Sequence, residues 1–443
     1  MHGLADRRGH AGIRVTVESW GRYPKTAQRV ISREWRDEPL AIPAGLSVLA
    51  HGMGRSYGDS CLNDGNAVIS TRRLRRILEF DPAEGVLRCE AGMTLDEILD
   101  FCVPRGWFPP VTPGTRFVTV GGAAANDVHG KNHHVAGCFG NFVRAMELLR
   151  GDGSRHVLHP GQDLFRATIA GLGLTGLIDW VEFQLKPIGN RWIDVETIRM
   201  GGLDEFFALS RESEPSWEYL VAWVDTVVSP GRGLFIRGNH DTAREPSART
   251  AGKKPALRVP FDFPSFALGR FSIGAFNELF YRKQLRRVSR QTVDYEPFFY
   301  PLDSLLEWNR LYGKAGLLQW QCLVPWAGGP EAVAALLKET HRSGQASFLT
   351  VLKTMGSKPA AGMLSFAGPG ITLALDFQRG GETLKLLDRL DSIIAEVGGR
   401  LYPAKDARMS GASFREFYPK WREFEWFRDP AFSSSFWRRV TEA

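Results

Sequence analysis

"LSVLAHGMGRSYGDS", residues 46–60, joins a short apolar run to a loop with three glycines. The run has the length and composition of a strand. Gly52, Gly54 and Gly58 bracket Arg55, Ser56 and Tyr57. A loop built this way can present backbone N–H groups to a pyrophosphate, because glycine permits close approach and positive φ. A plain hairpin turn has the same composition and would be the better reading of the loop alone, so its neighbours must decide.

Two further glycine-rich segments compete for the same role. "GLGLTG", residues 171–176, matches GxGxxG. A dinucleotide fingerprint must leave a strand and open a helix. Here the helix-like "GQDLFRATIAG" precedes and the strand-like "LIDWVEFQL" follows, the reverse order. The other segment is "PGTRFVTVGGAAANDVHGKNHH", residues 113–134, with His129, His133 and His134. Three imidazoles suggest a metal, but a helical HxxxH needs a regular helix, and glycine and asparagine interrupt this one. No carboxylate or thiol stands beside them at a ligand spacing, and adjacent histidines point apart in a strand. No metal site is expected, and His134 reads as a satisfied core histidine.

At 443 residues the chain can hold two or three domains with sizeable cores. With 43% hydrophobic and 24% charged residues it has the composition of a globular protein rather than a disordered or fibrous one. The net charge of +7 and pI near 9.2 permit an anionic partner. A phosphate-bearing substrate or an acidic membrane surface fits that charge, and so would nucleic acid. Cys61, Cys89, Cys102, Cys138 and Cys322 are odd in number and never form a CxxC pair, against a disulfide framework or a zinc ribbon. The opening "MHGLADRRGHAGIRV" has no apolar signal region and no run approaches a membrane span. A cytoplasmic protein is expected, with room for peripheral contact at the inner face of the plasma membrane.

Residues 1–190 alternate short strand-like runs ("LSVLA", "AVIS", "GVLRCEAG", "HVLHP", "LIDWVEFQL") with helical patterns. In "TLDEILDFCVPRG" a Thr cap precedes an acidic first turn, and Leu95, Ile98, Leu99 and Cys102 share one face. From about residue 191 the texture shifts to Trp- and Phe-rich segments, then to the helical "PEAVAALLKETHRSG" and "GETLKLLDRLDSIIAEVGGR". The shift marks a domain boundary.

Taken together and in order, these segments resemble the vanillyl-alcohol-oxidase type of FAD-binding family, most closely its flavoprotein oxidases of decaprenylphosphoryl-ribose epimerization. "GMGRSYGD", "PGTRFVTVGG", "HGKNHH", "GNFVRAMELL", "GLTGLI", "NELFYRK", "YPLDSLLEWNRLYG", "LQWQ", "GPGITLALDF" and "GGRLYPAKDAR" have counterparts across nearly the whole chain. The resemblance implies an α+β, two-domain PCMH-type fold with an antiparallel-sheet substrate domain. It implies an FAD-binding domain at 1–190, a substrate domain at 191–399, and a segment at 400–443 that returns to the first. FAD would be bound by His51, Gly52, Met53, Gly54, Arg55, Ser56, Tyr57, Gly58 and Asp59. Gly114, Thr119, Val120, Gly121, Gly122, Asn126, Asp127, Val128, His129, Ile178 and Tyr402 would complete that site. Relatives that tether the flavin use His or Cys inside the first glycine loop. Residues 52–60 hold neither, so dissociable FAD is expected.

The same resemblance makes Lys405, in "LYPAKDAR", the catalytic candidate, either as a base with a lowered pKa or as a charge that stabilises reduced flavin. It places Lys131, Trp223, Gln319, Gln321, Lys353 and Thr372 around the substrate. There are departures: Ala374 stands where some members have cysteine, Thr372 where they have asparagine, and Phe299-Tyr300 where they have tyrosine-histidine. The implied reaction is oxidation of the C2 hydroxyl of a polyprenyl-phospho-β-D-ribose to the 2-keto sugar. A separate NAD(P)H-dependent keto-reductase would complete the inversion to the arabinose form used in cell-wall arabinan. Alternatives are a sugar-lactone or alditol oxidase on soluble substrates, and a non-enzymatic flavin- or lipid-binding partner of a membrane complex. No nucleic-acid partner is expected.

One segment stands apart. In "FDFPSFALGRFSIGAFNELFYRKQLRRVSRQ", residues 261–291, Phe261, Phe263, Phe266, Phe271, Phe276 and Phe280 keep no single helical period. Arg282, Lys283, Arg286, Arg287 and Arg290 follow without an intervening acid. The pattern argues against one amphipathic helix and for a mobile gating loop that meets an anionic membrane.

Overall fold

The computed structural model describes residues 17–228, 231–242, 257–264 and 268–442. The strand of the opening stretch, Val48–His51, is the edge of a parallel three-stranded sheet, with Ala67–Ser70 in the centre and Arg29–Ser32 beyond. Next to it lies an antiparallel five-stranded sheet in the order Ile77–Asp81, Val86–Glu90, Leu177–Gln184, Val143–Leu149, Arg155–Leu158. Helix Leu95–Cys102 starts where its sequence requires. Thr94 Oγ1 accepts from the Glu97 amide while the Glu97 carboxylate accepts from the Thr94 amide, a reciprocal cap. Its apolar face, Leu95, Ile98 and Cys102, packs with Leu87, Cys89, Val181 and Phe183 of the sheet.

The GxGxxG look-alike has the reversed order expected of it. Helix Asp163–Thr168 runs into a turn with positive φ at Ala170, Leu172, Gly173 and Gly176, and strand Leu177–Gln184 follows.

An antiparallel eight-stranded sheet begins at Trp192. Its order is Val288–Asp294, Trp192–Met200, Gly233–His240, Tyr219–Val224, Thr350–Met355, Gly370–Gln378, Leu317–Val324, Arg400–Leu401. The two-residue period of its strands sorts the side chains onto two faces. Leu318, Trp320, Cys322, Ile371, Leu373 and Leu375 point to one face. There they share a core with helices Leu203–Ser213, Gly329–Arg342 and Gly381–Glu396. Gln319, Gln321, Lys353, Thr372 and Trp223, out of phase with them, line a cavity on the other face.

After Arg400–Leu401 the chain returns to the first sheet. Phe432 forms a bridge with Val48, and the Ser435 amide donates to the Leu62 carbonyl. In helix Ser435–Thr441 the Arg439 guanidinium grips Asp59 with two hydrogen bonds of 2.9 and 2.7 Å, and Asp406 with a third of 2.9 Å.

The segment 261–291 differs from its sequence reading. Arg270–Lys283 is one continuous helix. Asn277 donates to Asp225, Arg232 bridges Asp225 and Glu278, and Tyr281 lies under Arg199 and Arg232, so the helix is bolted to the sheet. The phenylalanines lack a period because they serve two faces: Phe271 points outward, while Phe276 and Phe280 line the cavity. Phe261 and Phe263 stack on each other before the helix. Phe266 lies outside the described residues. The basic cluster is also partly neutralised, by one acid a helical turn upstream and two distant in sequence. Arg282 pairs with Glu278, Arg287 with Glu205 and Arg290 with Glu196.

Candidate active site

A cavity of about 810 Å³ separates the glycine loops from the polar face of the eight-stranded sheet. The loop after Val48–His51 contributes Gly52, Met53, Gly54, Arg55, Ser56 and Tyr57. Among the described residues, no backbone carbonyl accepts from the amides of residues 52–56. Gly54 takes a φ of +61°, and open space lies where Gly114 would carry a Cβ. Gly52 sits so close to the next loop that a Cβ would lie 2.5 Å from Thr119 Oγ1. That hydroxyl in turn accepts from the Gly122 amide, which sets the start of helix Val120–Ala125. Free amides, glycine approach and a long cavity fit a flavin dinucleotide, whose pyrophosphate needs backbone donors at close range.

Gly114, Thr119, Gly121, Gly122, Asn126, Val128, His129, Ile178 and Tyr402 line the same cavity. Five other residues expected at the cofactor do not: His51, Gly58, Asp59, Val120 and Asp127. Gly58 passes so close to the Lys405 segment that a Cβ would fall 1.7 Å from the Asp406 carbonyl oxygen. Asp59 is held by Arg439. Val120 is in the core with Ala123 and Ala124. Asp127 accepts from the Gly140 amide and the Ser365 hydroxyl, and burial raises its carboxyl to about 6. His51 is held neutral, lowered to about 4 by burial and then by Arg72.

Every residue expected around the substrate lines the cavity, as does Lys405. Lys405 Nζ lies 3.9 Å from the centroid of the Tyr57 ring. Burial lowers its pKa to about 8, Asp376 opposing and Lys353 assisting. Lys353 donates to the Gly130 carbonyl at 3.1 Å and is lowered by burial to about 8. Lys131 donates to the Phe299 carbonyl at 3.1 Å and is lowered to about 7, by burial and then by Lys353. Three amines whose charge changes near neutrality thus share one enclosed space, able to draw in an anion or to take a proton.

His129 is kept neutral, its pKa pushed well below the usual value by burial and then by Lys353. The Gln321 amide nitrogen stands 3.1 Å from His129 Nε2 and donates at 3.1 Å to Thr372 Oγ1, whose hydroxyl donates to the Cys322 carbonyl. With the Gln321 amide nitrogen as donor, Nε2 accepts and the imidazole proton sits on Nδ1. His129 is therefore an oriented dipole, set in place by the sheet. His134 bonds the Trp217 carbonyl through Nε2 and is partly buried rather than in the core.

Asp376 escaped sequence reading. It is buried in strand Gly370–Gln378, accepts from Gln319 at Oδ1, and has no hydrogen-bond partner at Oδ2 among the described residues. Burial raises its carboxyl to about 7, with Gln319 and Lys405 pulling the other way. The signal was available, because in "GITLALDFQ" Asp376 is in phase with Thr372 and Ala374.

Residues 40–159 match a family model for an FAD binding domain. The chain is 37% identical over 450 residues to the decaprenylphosphoryl-beta-D-ribose oxidase of Mycolicibacterium smegmatis, covering 95% of this chain and 96% of that one. It is 32% identical to an uncharacterised protein of Streptomyces coelicolor, over 79% of this chain and all of that one. A shorter match, 28% identical over 28% of this chain and 27% of the other, reaches a D-lactate dehydrogenase of Anaerostipes hadrus. No helix among the described residues is long and apolar enough to cross a membrane. The glycine cradle, the family model and the nearly full-length similarity agree: the chain belongs to the decaprenylphosphoryl-β-D-ribose oxidase family of FAD-dependent, vanillyl-alcohol-oxidase type flavoproteins.

Proposed function

We propose that this chain oxidises the C2 hydroxyl of a polyprenyl-phospho-β-D-ribose to the 2-keto sugar, the first half of an inversion to the arabinose form. The observation that carries the reading is the convergence of Lys131, Lys353 and Lys405 on the cavity that also contains the glycine cradle. FAD would be held, without a covalent bond, by the amides of residues 52–56 together with Thr119, Gly121, Gly122, Asn126 and Tyr402. When bound, the flavin supplies a two-electron acceptor for the substrate's C2 hydride. Residues 1–190 would bind it, 191–399 would bind substrate, and 400–443 would tie the two together.

The protein's own share is binding, orientation and proton handling. Lys131 and Lys353 hold the phosphate. Gln319, Gln321 and Thr372 present polar atoms to the sugar, and Trp223 gives it an apolar wall. Lys405, with its pKa lowered to about 8, takes the hydroxyl proton as the C2 hydrogen departs with its electron pair, so that the C–O bond becomes a ketone. A separate NAD(P)H-dependent reductase would add hydride to the opposite face of that ketone. Peripheral contact with an anionic membrane would bring the enzyme to a lipid-linked substrate.

Anaerobic titration with polyprenyl-phospho-ribose tests the reading: the oxidised-flavin absorbance should bleach and a 2-keto product should accumulate. Bleaching by soluble alditols or sugar lactones alone would replace it.

A further inference from the structure

Four aromatic rings lead from the cavity to the protein surface. The Trp223 ring, on the polar face of the eight-stranded sheet, meets Phe280 edge-on at 4.9 Å. Phe280 stacks on Phe276 at 5.8 Å, and Phe276 meets Phe348 at 4.9 Å. Phe276, Phe280 and Lys283 recur at one-turn intervals along helix Arg270–Lys283, and all three line the cavity. Phe276 is 40% exposed, at the outer end. Beyond it the same helix leaves Phe271 91% and Leu279 73% exposed, and Leu285 just past its end is 88% exposed. Large apolar side chains left exposed along one helix offer a surface that another apolar body can cover.

We infer that this aromatic groove is the exit path of the substrate's polyprenyl chain, with the sugar phosphate inside and the tail running out past Phe280 and Phe276. The inference rests on the lipid-linked reading of the substrate. Two features commit the groove to that occupant. It is continuous with the catalytic cavity, and its polarity is that of an anionic amphiphile: Lys131 and Lys353 lie in the cavity, aromatic rings follow, and bare hydrocarbon lies outside. A cavity that must also receive FAD has no room for a long prenyl chain, so the chain must leave, and the rings offer it apolar contact throughout. The Asp225, Arg232, Glu278 and Asn277 network keeps the groove wall rigid, so little ordering cost falls on binding.

The test is equilibrium binding, without turnover, of decaprenyl phosphate in non-ionic detergent micelles and of ribose 1-phosphate, which has no tail. The holoenzyme is compared with Phe276→Ser, Phe280→Ser and Phe280→Leu, each checked for full FAD content. Each serine variant should bind decaprenyl phosphate about tenfold more weakly, the loss expected from removing one large apolar contact. All should bind ribose 1-phosphate as the wild type does, and Phe280→Leu should fall between wild type and serine. Equal binding of decaprenyl phosphate by wild type and serine variants would overturn the groove. So would serine variants that lose only liposomes free of decaprenyl phosphate, which would make the face a membrane-docking surface. Dependence on the two rings without flavin bleaching by the ribosyl lipid would keep the groove and sink the oxidase reading.

Discussion

Arg439→Met should weaken the fold behind the cofactor site without changing any residue that lines it. Arg439 holds two carboxylates whose side chains are only 4% and 5% exposed, Asp59 at the end of the first glycine loop and Asp406 beside Lys405. Removing one partner of a buried ion pair costs about 3–5 kcal/mol, because the remaining charge stays desolvated and unpaired. The guanidinium itself is 24% exposed, which puts the expected loss at the low end, about 3 kcal/mol, or roughly 100-fold in the folding equilibrium. Methionine keeps the packing against Phe436, so charge is the main change. Urea unfolding at fixed FAD concentration should show a lower midpoint with an unchanged slope. The deficit should also depend on pH. Burial already holds the Asp59 carboxyl above its ordinary value despite Arg439, and losing Arg439 raises it further. A raised carboxyl destabilises the fold fully above its folded pKa and less as pH falls through it, so the deficit should shrink as the pH is lowered from neutrality into the acid range. A loss below about 1 kcal/mol, or one that stays constant across that range, would refute the argument.

Three further outcomes are expected. Acid or heat should release FAD from the denatured chain, because residues 52–60 hold no His or Cys and burial pushes the nearby Cys61 thiol up to about 12; flavin fluorescence that migrates with the polypeptide would contradict this. Lys405→Met should keep FAD yet reduce it at least about 10²-fold more slowly. In the wild type, stopped-flow reduction should accelerate as pH rises through about 8, where Lys405 loses its proton; a rate that falls there would assign Lys405 to charge stabilisation. Gly58→Ala should yield flavin-free or insoluble protein, since its Cβ would lie 1.7 Å from a backbone oxygen that cannot swing aside; normal FAD content would show that the loop relaxes cheaply.

Local signals were legible where one residue's chemistry decided the outcome. The Thr94 and Glu97 cap, the strand before the first glycine loop, and the reversed order around residues 171–176 all follow from short-range rules. The cavity lining was legible only through the ordered resemblance, because Lys131, Gln319, Lys353 and Lys405 are far apart in sequence and no spacing rule joins them. Two things escaped. Asp376 looked like one polar residue in an apolar strand, and its role depends on the cross-strand register that sets it opposite Gln319. Helix Arg270–Lys283 was misread because a helix that serves both a cavity and the solvent loses the single apolar stripe that periodicity detects. Its cationic look was misleading for a related reason: Glu196 and Glu205, which neutralise Arg290 and Arg287, lie more than eighty positions upstream.

The clasp between Asp59 and Arg439 closes over 380 residues of chain. During synthesis the first glycine loop leaves the ribosome early, but the residue that fixes its far end emerges only after both large sheets have been made. The far end of the loop is therefore fixed late in synthesis, which favours FAD capture at the end of biogenesis. Loss of the last turn of helix, by truncation or by proteolysis, would then remove the flavin from a protein whose sheets still stand.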